Sequence, residues 1–191
     1  MSTTVFSGGE VFDPRTASFQ RADVLVDGDR VVDVGSDLDG DTSVDCSGRW
    51  VLPGLLDTHV HLMFPHVDLF RFAQTPFSYR FFQSIPSMAA TLGTGITTVR
   101  DAGGADLGVK QAVVDGIVPG PRMQISLTLL GQTGGHSDDW MPSGAHLPLL
   151  PDYPGMPSSI LDGPDEARRK VREVLRAGAD VIKVATSGGV L

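Results

Sequence analysis

Val51-Leu-Pro-Gly-Leu-Leu-Asp-Thr-His-Val-His-Leu62 is the stretch that decides the fold. The run after Pro53 reads as a buried strand whose last residues carry His59 and His61. On a strand, residues i and i+2 point to one face. Asp57, His59 and His61 therefore project together, while Leu56, Thr58, Val60 and Leu62 face the other way and suit packing under helices. Two neighbouring neutral imidazoles suit zinc and similar divalent ions. The plainer alternative is a pair of hydrogen-bonded histidines at a strand end. Pro53-Gly54 ahead of the strand and the Asp57 spacing favour the metal.

Toward the N-terminus the chain changes character. Residues 3–6, 10–12, 22–26, 30–34 and 43–46 read as short strands, with Asp27-Gly28-Asp29 as a hairpin turn. This predicts a small antiparallel unit over residues 1–52, part of a β-sandwich that needs further strands to complete its sheet. Toward the C-terminus, strand and helix patterns alternate. Strands are expected over 51–62, 96–101, 123–130 and 181–185, and helices over 77–92 (interrupted at Pro86), 107–118 and 165–177. In the last helix Ala167, Val171, Val174 and Leu175 fall at helical spacing. Such alternation means parallel βα units. The expected fold class is α/β, with residues 53–191 forming the first four βα units of a TIM barrel. A whole barrel takes roughly 250 residues, so the stop at Leu191 reads as a truncation after strand four. Barrel active sites lie at the C-terminal ends of the strands, where His59 and His61 fall.

Composition narrows the function. The net charge is −8 and no basic stripe exists to neutralise phosphates, which argues against nucleic acid. No apolar run approaches the roughly 20 residues of a membrane helix, and the first residues lack the pattern of a secretory signal. A single cysteine, Cys46, excludes an intramolecular disulfide, fits a cytoplasmic setting and reads as a small buried apolar residue. No Gly-x-Gly-x-x-Gly follows the first barrel strand and no Walker-type motif occurs.

Lys183 lies inside Val-Ile-Lys-Val-Ala, where a buried ammonium is costly unless compensated. It either reaches solvent along its stem or serves as a ligand. His136 sits in Gly131-Gln-Thr-Gly-Gly-His-Ser-Asp-Asp-Trp140, directly after the third barrel strand. The segment 132–163 is long, rich in Pro and Gly, and reads as a lid over the metal, with Trp140, Met141 and Tyr153 as candidate substrate contacts. Arg100 and Asp101 read as structural residues at the barrel rim, Asp138 and Asp139 as loop-ordering carboxylates, and His66 and His146 as surface or supporting residues.

Pro53-Gly-Leu-Leu-Asp-Thr-His-Val-His61 resembles the first-strand signature of the amidohydrolase superfamily, and Ala22–Gly35 resembles that superfamily's N-terminal sandwich half. Thr97-Thr-Val-Arg-Asp-Ala-Gly-Gly104, Gly134-Gly-His136 and Val181-Ile-Lys-Val-Ala-Thr-Ser-Gly-Gly189 resemble more narrowly the Xaa-Pro dipeptidase (prolidase) and imidazolonepropionase-related branch. The likeness covers essentially the whole chain. One departure is Ser137, where the branch has glycine in Gly-His-Gly-Asp.

The resemblance implies that His59 and His61 hold one divalent metal, zinc being expected, and that Lys183, carboxylated by CO2, bridges it to a second. It gives His136 a catalytic, substrate-binding or transition-state-stabilising role. The implied reaction is cleavage of a C–N amide bond by metal-activated hydroxide. The implied substrate is a dipeptide with C-terminal proline or an N-acyl amino acid, with cyclic amides still open. The branch's further metal histidines and its catalytic aspartate would follow Leu191, so residues 1–191 alone are expected to be inactive. The competing expectation is a non-catalytic half-barrel that binds metal or dimerises through its open sheet edges. A homo-oligomer is expected on either reading.

Overall fold

The computed structural model describes residues 2–148 and 150–188, and they divide into two compact units, Met1–Pro53 and Gly54–Leu191. Gly189 of the Lys183 motif and the end of the chain at Leu191 lie outside the described residues.

The first unit is one sheet of β1 (Thr3–Asp13), β2 (Ser18–Asp27), β3 (Arg30–Gly35), β4 (Thr42–Asp45) and β5 (Trp50–Val51), in the order β3-β2-β1-β4 with β5 also on β1. The two short strands expected over 3–6 and 10–12 are a single strand carrying a bulge between Phe6 and Gly9. The β2–β3 turn is the expected tight hairpin, with Gly28 at φ 58°, a conformation glycine adopts freely. An all-antiparallel unit is not what forms, because β4 and β5 both pair β1 in parallel. Turn residues announce hairpins between neighbouring strands but carry no signal for such non-local pairing. Val11, Ala22 and Val24 form the core of this sheet, and Cys46 is buried as expected.

The second unit carries a parallel sheet of β6 (Leu55–Val60), β7 (Ile96–Asp101) and β8 (Arg122–Ile125), in the order β6-β7-β8. A separate parallel pair joins β9 (Leu129–Leu130) to β10 (Lys183–Val184). The strand expected over 123–130 is thus split. Leu127, fully buried, takes φ 63°, and this left-handed residue breaks the pairing between Ile125 and Leu129. The strand expected over 181–185 shortens to Lys183–Val184, because Asp180 and Val181 donate their N–H groups to the Ile125 carbonyl instead.

The helices among the described residues of this unit are α1 (Leu69–Gln74), α2 (Tyr79–Gly93), α3 (Leu107–Val114) and α4 (Gly163–Arg176), of which α2, α3 and α4 contribute to the core over the sheet. The short helix α1 was not expected; Asp68 starts it by accepting the Arg71 N–H. Helix α2 runs through Pro86 without a break. Proline removes one bond, to the Phe82 carbonyl, and Phe82 is on the exposed side where water substitutes. Asp106 caps α3 through the Val109 N–H at 2.8 Å. On α4, Val174 is buried and Val171 packs against the core, but Leu175 is half exposed. Lys170 takes a buried place instead, donating to the Ser158 hydroxyl and lying 3.4 Å from Glu173. Val99, Met123 and Ile125 of the sheet, with Leu127 and Leu130 beyond it, pack with Met88, Val109 and Val174 of the helices. Full burial of such side chains contributes roughly 1.5–3 kcal/mol each.

Candidate functional site

Strand alternation carries His59 and His61 to the C-terminal end of β6, where their rings lie 5.3 Å apart in an edge-on arrangement. His61 Nδ1 is 2.9 Å from the Gly103 carbonyl oxygen. A carbonyl only accepts, so Nδ1 is the donor, and in the neutral ring Nε2 holds the lone pair. Gly103 sits at φ 138°, a conformation that side chains rarely adopt and that aims its carbonyl at the ring. Phe64 stacks on His61 at 5.3 Å. His59 is held below the usual imidazole range by burial and then by the charges of Lys183, His61 and Arg100, with Asp57 opposing. A neutral imidazole is the form that ligates. The Asp57 carboxylate accepts the His59 backbone N–H at 3.0 Å, and so steadies the strand end rather than facing outward freely.

Asp101, at the end of β7, is fully buried. Burial pushes its carboxyl above the ordinary range, against the hydrogen bonds from the Leu62, Ala105 and Gly103 N–H groups and the nearby His61, which pull it down. Arg100 Nε donates to the Thr58 carbonyl at 2.7 Å, tying the β6 end to β7. Both side chains bond to backbone groups at the β6 end.

Lys183 begins β10 and pairs with Leu129 of β9. It is partly buried, and its charge is one cause of the His59 shift, so the two groups share one electrostatic neighbourhood. Among the described residues, no three His, Cys, Asp or Glu side chains converge as a ligand set. Of the residues expected to hold a metal, His59 and His61 lie with their rings side by side, and the Lys183 charge acts on His59. They fit one in part: one imidazole has its outer nitrogen free and fixed, the second is biased to neutrality, and an anionic carbamate on Lys183 would complete a mixed N/O donor set.

His136 is half buried, and its backbone N–H donates to the Ser187 carbonyl at 3.3 Å, bringing the glycine-rich loop to the end of β10. Ser137 donates its hydroxyl to the Leu129 carbonyl at 2.7 Å, so this side chain pins the loop to the residue that pairs with Lys183. His136 lines a cavity of about 560 Å³ together with Leu129, Trp140, Met141 and His146. Among the described residues, His59, His61 and Lys183 are not in that lining. Asp138 accepts the Gly134 N–H at 2.6 Å and the Trp140 N–H at 3.1 Å, which lower its carboxyl, as suits a loop-ordering role. Asp139 holds His146 Nδ1 at 2.8 Å, and Trp140 and His146 pair as a small antiparallel bridge.

Tyr153 is half buried, and its hydroxyl donates to Asp106 at 3.1 Å, the residue that caps α3. Its ring packs on Phe77 and Phe81. His66 packs on Phe72 at 4.4 Å.

Comparison with known proteins gives the family. The amidohydrolase family profile matches residues 50–191. Ochratoxinase of Aspergillus niger is 42% identical over 108 residues, covering 52% of this chain and 22% of that protein. The crystal structure of a prolidase complexed with N-methylphosphonate-L-proline superposes with TM-score 0.85 at 38% identity, covering 98% of this chain and 47% of that one. A Xaa-Pro dipeptidase with bound methionine in its active site superposes with TM-score 0.80 at 28% identity, covering 100% of this chain and 48% of the other. The chain thus spans about half the length of the solved relatives it matches. Those neighbours give the second unit a TIM-barrel-type fold, and with the family profile they show that the chain belongs to the amidohydrolase family, with prolidase, Xaa-Pro dipeptidase and ochratoxinase among its relatives.

Proposed function

We propose that this chain carries the metal-holding part of an amide hydrolase. His59 and His61 hold one divalent ion, zinc by the chemistry of the donors, and Lys183, carboxylated by CO2, holds a second ion beside it. The observation that carries the proposal is the His61 ring, whose Nδ1 lies 2.9 Å from the Gly103 carbonyl and so leaves Nε2 to ligate in the neutral ring. A divalent ion so held supplies a Lewis acid for the scissile carbonyl and lowers the pKa of water. His136 binds the substrate or the oxygen on which charge develops. Residues 132–148 and 150–163 carry His136 on the wall of a cavity lined by both polar and apolar side chains, and act as the lid.

The substrate proposed is a dipeptide-like amide with proline on the carboxyl side, supported by the prolidase and Xaa-Pro dipeptidase likeness. Other amides, including N-acyl amino acids and cyclic amides, are the alternatives within the class. A second reading has its own observation. Strand β6 pairs on one side only among the described residues, and Leu55 and Leu56 on it are exposed. On that reading residues 1–191 are a half-barrel that associates with a second copy and performs no hydrolysis alone. Among the described residues no helix is long and apolar enough to cross a membrane. A reducing, cytoplasmic compartment is proposed for the lone thiol of Cys46.

The test is zinc content, light scattering and turnover of purified residues 1–191 on Xaa-Pro dipeptides and N-acyl amino acids. Zinc bound through His59 and His61, with negligible turnover and a dimeric mass, is expected. A chain that binds no zinc overturns the metal reading, and metal-dependent turnover overturns the inactive half-barrel.

A further inference from the structure

Asp101 is buried, ends β7 and lies outside the proposed ligand set, yet its bonds converge on His61. Its Oδ2 accepts the N–H of Leu62, the residue directly after His61, at 2.8 Å. Its Oδ1 accepts the Gly103 N–H at 3.0 Å and the Ala105 N–H at 3.2 Å. Gly103 in turn offers its carbonyl to His61 Nδ1 at 2.9 Å. One carboxyl group therefore grips both the backbone behind the histidine and the peptide unit that sets its tautomer. The Asp101 backbone extends the brace, its carbonyl accepting the Ser126 N–H at 3.1 Å, while Ala102 donates to the Val60 carbonyl at 2.8 Å.

A buried carboxyl is an expensive way to staple two loops. What it supplies is two acceptor oxygens on one rigid group, one for each loop. An amide of the same shape has one acceptor and one donor, and so sets an N–H against an N–H on one side.

Resting on the metal reading of His59 and His61, we propose that Asp101 is the positioning residue of the site: through Leu62 and Gly103 it holds the His61 ring in its Nδ1–H tautomer, with Nε2 presented to the ion. Outer partners of metal-binding histidines act in this way, by fixing the tautomer and orienting the ring. Here the carboxyl acts one bond further out, through a backbone carbonyl.

The test compares the wild-type chain with Asp101→Asn. Three measurements are made: imidazole 15N shifts of His61 in metal-free protein, zinc affinity by chelator competition, and thermal unfolding. Wild type is expected to show a single Nδ1–H tautomer. The variant is expected to show a mixture, with zinc weakened about 10- to 100-fold. A folded variant that keeps the wild-type tautomer and affinity, losing only stability, overturns the proposal and leaves Asp101 a structural staple. Should the variant not fold, amide exchange in wild type decides. Slow exchange at Leu62 and Gly103 alongside the Nδ1–H tautomer supports the proposal, and exchange at the rate of an open loop overturns it. If wild type binds no zinc while the tautomer still shifts in the variant, the metal reading fails and the positioning of the ring stands.

Discussion

His61 and Lys183 are the two arms of the proposed site, and they stand on very different foundations. The imidazole arm rests on a strand end braced by Arg100, Asp101 and Gly103, with Phe64 stacked on the ring. The lysine arm begins a two-residue strand, and its neighbour Val184 is 55% exposed. β10 is held by its short pairing with β9 and, ahead of it, by the Asp180 carboxylate, which accepts the Ile125 N–H at 2.8 Å and the Lys110 ammonium at 2.7 Å. On the proposed reading, the contrast teaches that the imidazole arm is held at the ring itself and the lysine arm only through its backbone. A first ion should therefore depend far more on His61 than on Lys183.

The strongest way to break this contrast is to remove each arm in turn. His61→Ala is expected to weaken zinc by more than about 100-fold, beyond the range of supporting residues. Lys183→Met is expected to cost about 10-fold or less for the first ion, because it removes a charge that opposes a cation until it is carboxylated. Calorimetric titration checks both. Equal losses would mean that the two arms act as one, and the preorganised imidazole arm would lose its priority.

The contrast sharpens at Asp180. Asp180→Ala leaves the buried Ile125 N–H without its carboxylate acceptor and frees Lys110. A buried donor left unmade costs about 1–3 kcal/mol, whereas the Lys110 pair itself, partly exposed, contributes little. Urea unfolding should show the loss in residues 54–191. The His61 tautomer should not change, since nothing in its brace passes through Asp180. A shift there would show that the arms are mechanically coupled.

The same division explains what could be read in the sequence. The strand that ends beside His61 was legible in part: a period of two and a proline-glycine start mark it, but it runs only from Leu55 to Val60, and Leu56, expected under the helices, is exposed. Lys183 was legible because a lysine in an apolar run is anomalous. The brace was not legible. Asp101 works through the N–H groups of Leu62, Gly103 and Ala105, and backbone donors leave no mark in residue identity. The split after Ile125 was hidden for a related reason: Leu127 is apolar and buried like its neighbours, and only its φ of 63° distinguishes it. The packing of Tyr153 was likewise hidden, because a loop aromatic does not announce that its ring lies against Phe77 and its hydroxyl on Asp106.

The smallest expected effect probes the space between the arms. His59 lies below its ordinary value of about 6.5, first by burial and next by the Lys183 charge. Between the folded and unfolded values the unfolded chain binds more protons, so stability rises with pH across that window. His59 therefore contributes stability that is present above about pH 6.5 and is lost as pH falls through its folded value. Lys183→Met should raise the His59 midpoint part of the way back, and only part, because burial remains. Bicarbonate gives the opposite handle on the same residue. Carboxylation turns the Lys183 cation into an anion, which should lift the His59 midpoint in wild type and leave Lys183→Met unmoved. The measurement is an NMR titration of the His59 ring, metal-free, with and without bicarbonate. A midpoint that ignores both the substitution and the bicarbonate would place Lys183 too far from His59 to share an ion pair with it, and the lysine would then be a stem reaching for solvent.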